Sequence, residues 1–157
     1  MELYLAECET PWGVFLLLFH RQGIYEIFFP GDAPEREYPR ESLPWPGLEA
    51  DLNRYFQGEK VTWEGYPLDM GGYPPFTFRL LEAIRKLPYG AVCSYRDAAR
   101  MAGSPRAWRA AGQALAANRH PLVVPCHRVI RSDGSIGGFG GPPGWKEALL
   151  KLEGVKL

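Results

Sequence analysis

Cys126 and His127 stand side by side in Pro125-Cys126-His127-Arg128-Val129-Ile130, directly after the apolar run Leu122-Val123-Val124. A thiol is a poor nucleophile until it is deprotonated, and its ordinary pKa lies near 8.5. A histidine able to take that proton, itself oriented by a carboxylate, is the usual activating device. The pair therefore points to nucleophilic chemistry at sulfur, against the alternative of an inert buried thiol. The other cysteines, Cys8 and Cys93, leave an odd number, and no two of the three have a C-x-x-C spacing. Reduced thiols in a cytosolic protein are the expectation. Cys8 and His20 would need two further ligands to hold zinc, and the first half does not supply them. No metal site is expected.

The elements that must position this pair differ between the two halves of the chain. Residues 3–8, 13–20 and 24–29 are apolar and β-branched or aromatic, with Thr10-Pro11-Trp12-Gly13 and Arg21-Gln22-Gly23 between them. They read as a three-stranded antiparallel meander. Residues 30–46, with five prolines, read as a surface loop. Leu48, Leu52, Tyr55 and Phe56 have helical spacing, and Gly58 stops that helix. Pro67 to Pro75, with Gly71-Gly72 inside, is the expected boundary between a domain at 1–70 and one at 71–157.

In the second half a helix is expected from Phe76 to Leu87, ended by Pro88-Tyr89-Gly90. Ser94 can cap a helix running to Met101. Gly103-Ser104-Pro105 makes a turn, and Pro105 suits the first position of a helix reaching about Ala117. Two short helices joined by a glycine-containing turn form a helix-turn-helix pattern, which plain αα-hairpins share. The fold class is α+β.

Charge sharpens the division. The 157 residues balance 18 Lys and Arg against 18 Asp and Glu. Residues 1–70 hold thirteen acids and five bases, a net of −8, and residues 71–157 hold the reverse, a net of +8. Seven arginines and one acid, Asp97, fall between Arg96 and Arg131. Such asymmetry suggests that one unit meets a polyanion. Residues 105–117 add six alanines, Gly112, Arg106 and Arg109, a composition suited to close approach to a phosphate backbone. The longest apolar run, Val14–Phe19, is far short of a membrane span, and the acidic start Met1-Glu2-Leu3-Tyr4 shows no secretory signal.

Pro125-Cys126-His127-Arg128-Val129-Ile130 resembles the active-site signature of the O6-alkylguanine-DNA alkyltransferase family. The resemblance extends over Pro67–Gly154. Pro88-Tyr89-Gly90, Ser94-Tyr95, Ala102-Gly103, Arg109, Asn118 and Leu149-Leu150 with Glu153-Gly154 fall in register with its landmarks. The first half is similar more loosely, in Tyr55-Phe56-Gln57-Gly58 and Pro67-Leu68-Asp69.

The resemblance implies a ribonuclease H-like first domain and a winged-helix-like second domain. It implies direct reversal of damage, in which an O6-alkylguanine is flipped from duplex DNA and its alkyl group passes irreversibly to Cys126. His127 is then the base, acting through a water, Glu153 the carboxylate that orients it, and Asn118 the brace of the active-site turn. Tyr95 corresponds to the proton donor to the leaving base. Arg109 corresponds to the finger that fills the gap in the stack, within a recognition helix that enters the minor groove. That groove is only about 6 Å wide, which suits small residues. Arg106, Ala107, Ala110, Arg128 and Ser94 are the other expected DNA contacts. Tyr95, Val129, Phe139, Gly140 and Gly141 are the expected base pocket.

No cofactor is implied, the partner is double-stranded DNA containing O6-alkylguanine, and a cytoplasmic, nucleoid-associated monomer is expected. The chain departs from the family pattern at Phe139-Gly140, where a tyrosine and a small polar residue are common, at Leu81 in place of Trp, and at the bulky Trp108. The competing readings are a non-catalytic alkyltransferase-like lesion binder, which Cys126 argues against, a helix-turn-helix regulator and a Cys-His hydrolase.

Overall fold

A computed structural model describes residues 2–157, and the chain divides after Met70 into two compact units. In the first unit β1 (Tyr4–Thr10), β2 (Gly13–His20) and β3 (Gly23–Phe28) form an antiparallel sheet in the order β1-β2-β3. Tyr4 pairs with Phe19 and Thr10 with Gly13, so the tight turn sets the register. A bulge between Leu18 and Phe19 interrupts the β2–β3 ladder. Cys8, Phe15, Leu17 and Ile24 are fully buried. Helix α1 (Pro46–Phe56) adds Leu48, Leu52, Tyr55 and Phe56, and the Phe15 and Phe56 rings stack 5.1 Å apart. The apolar stripe of α1 thus closes one face of the sheet.

The second unit, Gly71–Leu157, is mostly helical. Helix α2 (Pro75–Ile84) buries Leu80, Leu81 and Ile84. It ends three residues before the expected Leu87. Leu87 precedes Pro88, which disfavours helical backbone there. The last turn tightens instead into bonds from Lys86 N–H to Ala83 O and from Leu87 N–H to Ile84 O. Leu81, where the family pattern favours Trp, is fully buried in this core.

Strand β4 (Cys93–Ser94) leads into α3 (Tyr95–Met101). Ser94 Oγ accepts from Asp97 N–H at 3.0 Å, and an Asp97 oxygen accepts from Ser94 N–H at 3.2 Å. This capping box fixes where α3 begins, and so where Tyr95 points.

The turn to α4 (Trp108–Ala116) differs from expectation. Pro105 is not the first residue of the helix. It is the second residue of a turn closed by Ala107 N–H to Ser104 O at 2.9 Å, a position that suits the fixed φ of proline. Ala107, with φ −90° and ψ 30°, is the N-cap. The Ala-rich stretch from 105 is therefore part turn and part helix. After α4 come a 3-10 turn at Cys126–Arg128, β5 (Val129–Ile130) and α5 (Trp145–Leu152). β5 pairs with β4 in parallel, Cys93 opposite Val129, which lays the cysteine turn beside the start of α3. Among the described residues no helix is long and apolar enough to cross a membrane.

Candidate active site

The acceptor turn is built from the backbone up. Pro125 has φ −79° and ψ 66°, and Cys126 N–H donates to Val124 O at 2.8 Å. This is an inverse γ-turn, and the proline ring supplies its φ in advance. The side chain of Asn118 donates to the same Val124 carbonyl at 2.9 Å. Arg128 N–H returns to Pro125 O at 2.9 Å and closes the 3-10 turn. Cys126 is 7 % exposed, and it lines a cavity of about 650 Å³.

Burial pushes the Cys126 thiol above its ordinary pKa. Opposing this are a hydrogen bond from the Asn118 side chain, the positive charge of Lys146, and the N–H groups of Cys126 and His127. Reactivity of the sulfur therefore depends on those donors and that charge.

His127 is 1 % exposed, and its Nε2 lies 2.7 Å from Glu153 Oε2. Burial pulls its pKa below the ordinary value, although the Glu153 hydrogen bond and charge act the other way. A neutral imidazole follows, donating from Nε2 to the carboxylate and leaving Nδ1 as an acceptor. Burial pushes the Glu153 carboxyl up, but hydrogen bonds from His127 and Arg128, with the positive charge of Arg128, hold it well below the usual carboxylate range.

Arg128 lies inside the protein and not on the DNA-facing surface expected of it. It was expected among the DNA contacts, yet it is 3 % exposed. Its Nε and Nη2 donate to the two Glu153 oxygens at 2.8 and 3.0 Å, and Nη1 donates to Leu87 O at 2.7 Å. Three of its five N–H groups are committed to a buried carboxylate and a backbone carbonyl, and its burial keeps the rest from the surface a phosphate would approach. Gly90 N–H is a further donor to Glu153, at 3.0 Å. A Cβ on Gly90 would lie 3.2 Å from Glu153 O, and its φ is +79°, so Pro88-Tyr89-Gly90 needs its glycine here.

Tyr95 lines the cavity and donates to Gly138 O at 3.3 Å. Burial raises its pKa, which keeps the phenol protonated and able to donate. Phe139 and Gly140 also line the cavity. Val129 and Gly141 are not among its lining residues. Val129 is fully buried, and its backbone pairs with β4. Trp108 forms part of the wall, with the guanidinium carbons of Arg96 and Arg109 at 4.9 and 5.0 Å from its ring centroid. Arg109, Arg106 and Ala110 are exposed at and before the start of α4, and Ala107 is half-buried. Ser94 holds its oxygen toward the α3 backbone as the cap.

One residue of the site went unread in the sequence. Lys146 is buried, and its Nζ donates to Val129 O at 2.6 Å and Gly138 O at 3.0 Å, 5.7 Å from the Tyr95 ring centroid. Burial lowers its pKa to about 8, which the Cys126 charge resists and Arg131 reinforces. A signal for it existed. Lys146, Leu149, Leu150 and Glu153 have the i, i+3, i+4, i+7 spacing of one buried helix stripe, so the lysine stood at an apolar position. Among the described residues no cluster of three or more His, Cys, Asp or Glu side chains converges as metal ligands would.

A family model described as "6-O-methylguanine DNA methyltransferase, DNA binding domain" matches residues 75–155. A methylated-DNA–protein-cysteine methyltransferase of Methanopyrus kandleri is 42% identical over 132 residues, 83% of this chain and 95% of the relative. A "DNA base-flipping protein" of Thermus thermophilus is 46% identical over 105 residues, 66% of this chain and 69% of that protein. The crystal structure of Mycobacterium tuberculosis OGT in complex with DNA superposes with a TM-score of 0.85 at 33% identity, covering 96% of this chain and 92% of the other.

Proposed function

The chain belongs to the 6-O-methylguanine DNA methyltransferase family, and from that premise we propose that Cys126 is the alkyl acceptor and O6-alkylguanine in duplex DNA the substrate. The activity is transfer of a methyl group from methylated DNA to a protein cysteine, a direct reversal of damage. The observation that carries the residue assignment is the Cys126 thiol lining a cavity beside a buried His127–Glu153 pair.

In this reading a flipped guanine enters the cavity, at an unstacking cost of a few kcal/mol. The thiol proton passes through a water to His127 Nδ1, and Glu153 steadies the imidazolium that forms. The sulfur lone pair attacks the alkyl carbon. The new C–S bond forms as the C–O6 bond breaks, and its electron pair stays with the guanine. Tyr95 hands its proton to the departing base. Lys146, Asn118 and the turn's N–H groups favour the thiolate before attack. A thioether has no hydrolytic route back to a thiol, so each molecule acts once.

Arg109 is the finger that replaces the flipped base, and Arg106, Ala107, Ala110 and Ser94 lie nearest the phosphates in this reading. Phosphate and shape contacts then outweigh base-edge readout. Three antiparallel strands followed by a helix support a ribonuclease H-like reading of the first unit, a structural domain at 1–70. The α3-turn-α4 pair supports a winged-helix-like DNA-binding reading of 71–157. A site complete within one chain supports a monomer, and three free cysteines suit a reducing, cytoplasmic setting near the nucleoid.

Incubation with one equivalent of duplex DNA containing O6-methylguanine, followed by peptide mass spectrometry, is expected to place one methyl group on Cys126. An unmodified Cys126 with the lesion still bound would overturn transfer in favour of lesion binding alone. That second reading is worth separating, because one relative is described as a base-flipping protein.

A further inference from the structure

Tyr73 and His120 have no part in the roles above, yet both end on the segment that carries the acceptor. His120 is fully buried, and its Nδ1 lies 3.0 Å from the Tyr73 hydroxyl. The same hydroxyl accepts from Arg119 N–H at 2.7 Å. The Arg119 guanidinium lies over the Tyr73 ring, 4.2 Å from its centroid, and donates to Gly71 O at 2.9 Å. With a lone pair taken by that N–H, the hydroxyl proton is placed to donate to His120 Nδ1.

His120 in turn decides which way Asn118 points. Its backbone N–H donates to Asn118 Oδ1 at 2.9 Å. Nδ2 is therefore the atom turned toward Val124 O and the Cys126 sulfur. An amide flipped end for end would set its oxygen against a carbonyl oxygen and a thiolate. Only the hydrogen-bond network distinguishes the two orientations, because they have the same shape. The backbone between His120 and Cys126 is also strained. Leu122 has φ +76°, the one positive φ outside glycine among the described residues, and it is buried. Such a conformation persists where its surroundings over-determine it. The bond from Val124 N–H to His120 O at 2.8 Å closes that loop on His120.

We propose that Tyr73 and His120 are positioning residues for the acceptor. They hold the backbone at 119–120, and that backbone holds the Asn118 amide in the orientation that donates to the Cys126 thiolate. The proposal rests on the reading of Cys126 as the reactive thiol. The groups that act on the sulfur are Asn118, Lys146, Tyr95 and the N–H groups of Cys126 and His127. Of these, Asn118 is the one whose side chain is bonded to His120.

The test is the rate of Cys126 alkylation by iodoacetamide, read by peptide mass spectrometry across neutral and alkaline pH, so that Cys8 and Cys93 are resolved separately. Tyr73→Phe keeps the ring under Arg119 but removes both hydrogen bonds. It is expected to move the midpoint of the profile up by about half a pH unit and to slow the neutral-pH rate about threefold. His120→Asn can offer an oxygen where Nδ1 stood, and it is expected to keep the wild-type profile, whereas His120→Leu shifts it as Tyr73→Phe does. In an Asn118→Ala background, adding Tyr73→Phe is expected to change the profile no further.

A lower melting temperature with an unmoved profile in both Tyr73→Phe and His120→Leu would overturn the proposal. So would the same threefold loss repeated in the Asn118→Ala background. Iodoacetamide needs neither DNA nor a lesion, so this result is independent of whether Cys126 accepts an alkyl group from guanine.

Discussion

Replacing Glu153 by Gln keeps its size and removes its charge. The Glu153 side chain is 0 % exposed, and it accepts from His127 Nε2, Arg128 Nε, Arg128 Nη2 and Gly90 N–H. A carboxylate has room for four donors. An amide oxygen accepts about two, and its NH₂ would face donors head-on. The substitution thus strands the Arg128 guanidinium, itself buried, without a counter-charge. Breaking one side of a buried ion pair costs about 3–5 kcal/mol. Against a total stability of about 5–15 kcal/mol, that is a large share. The melting temperature should fall by about 2–4 °C per kcal/mol at this chain length.

The assay is urea unfolding of wild type, Glu153→Gln, Arg128→Met and the double variant. If stranded charge is the cause, the double variant recovers part of the loss, with a coupling above about 1 kcal/mol. The pH dependence adds an independent check. The folded-state pKa of Glu153 lies well below the ordinary 4.3 or so of the unfolded chain. Its contribution is therefore complete above about pH 4.3 and is lost as pH falls from there toward the folded value. The gap between wild type and Glu153→Gln should narrow as pH drops below about 5. A loss under about 1 kcal/mol with additive behaviour, or a gap that is constant with pH, would refute the reasoning.

Gly140→Ser restores a hydroxyl at a position where the family pattern often has a small polar residue. A Cβ on Gly140 would sit 2.9 Å from Ala116 O and 3.1 Å from Ala116 Cα, so the loop must leave α4. We expect a loss of about 1–3 kcal/mol in denaturant unfolding and slower methyl transfer, not a gain. Arg106→Ala should lower the salt slope of DNA binding by about one, because Arg106 is exposed. Arg128→Met should leave that slope unchanged while lowering stability, and equal slopes for the two variants would contradict these assignments. Arg109→Ala should slow repair of duplex DNA far more than reaction with free O6-alkylguanine base, measured by methyl or benzyl incorporation. Equal losses on both substrates would remove the finger role.

How much of this was legible in the sequence depended on whether local rules or tertiary contacts decided the matter. The three strands and α1 follow from apolar, β-branched and aromatic runs, the turn residues between them and helical spacing, and tertiary structure had nothing to overrule. Ser94 is readable as a cap from its type and place, and the structure adds Asp97 as the other half of a capping box. The helical pattern runs on through apolar Leu87, but the proline after it disfavours helical backbone there, and α2 ends at Ile84. Pro105 suits the second position of a turn as well as the start of a helix, and local sequence does not choose between them. At the site, the Cys-His pair and Glu153 were readable through the family resemblance. The destination of Arg128 was not, since the same side chain could face a phosphate or a buried carboxylate. That choice lies in the contact with Glu153, twenty-five residues away. The Tyr73–His120 contact, across forty-seven residues, left no local trace at all.

The formal neutrality of the chain now resolves into two kinds of cation. Of the seven arginines between Arg96 and Arg131, Arg128 neutralises a buried carboxylate and Arg119 is stacked on Tyr73. The other five, Arg96, Arg100, Arg106, Arg109 and Arg131, are exposed, and Arg100 is paired with Asp97. Lys146 joins the inward set, where its charge acts on sulfur. The two sets answer to different physics. Interactions among exposed charges fade over about 10 Å at 0.1 M salt, whereas buried charges are screened far less. Salt should therefore weaken encounter with DNA while leaving the state of the Cys126 thiol nearly untouched. Arg131 alone bridges the two sets, since it is exposed yet its charge acts on Lys146 and Tyr95, so it is the one exposed arginine whose removal should move the acceptor's reactivity.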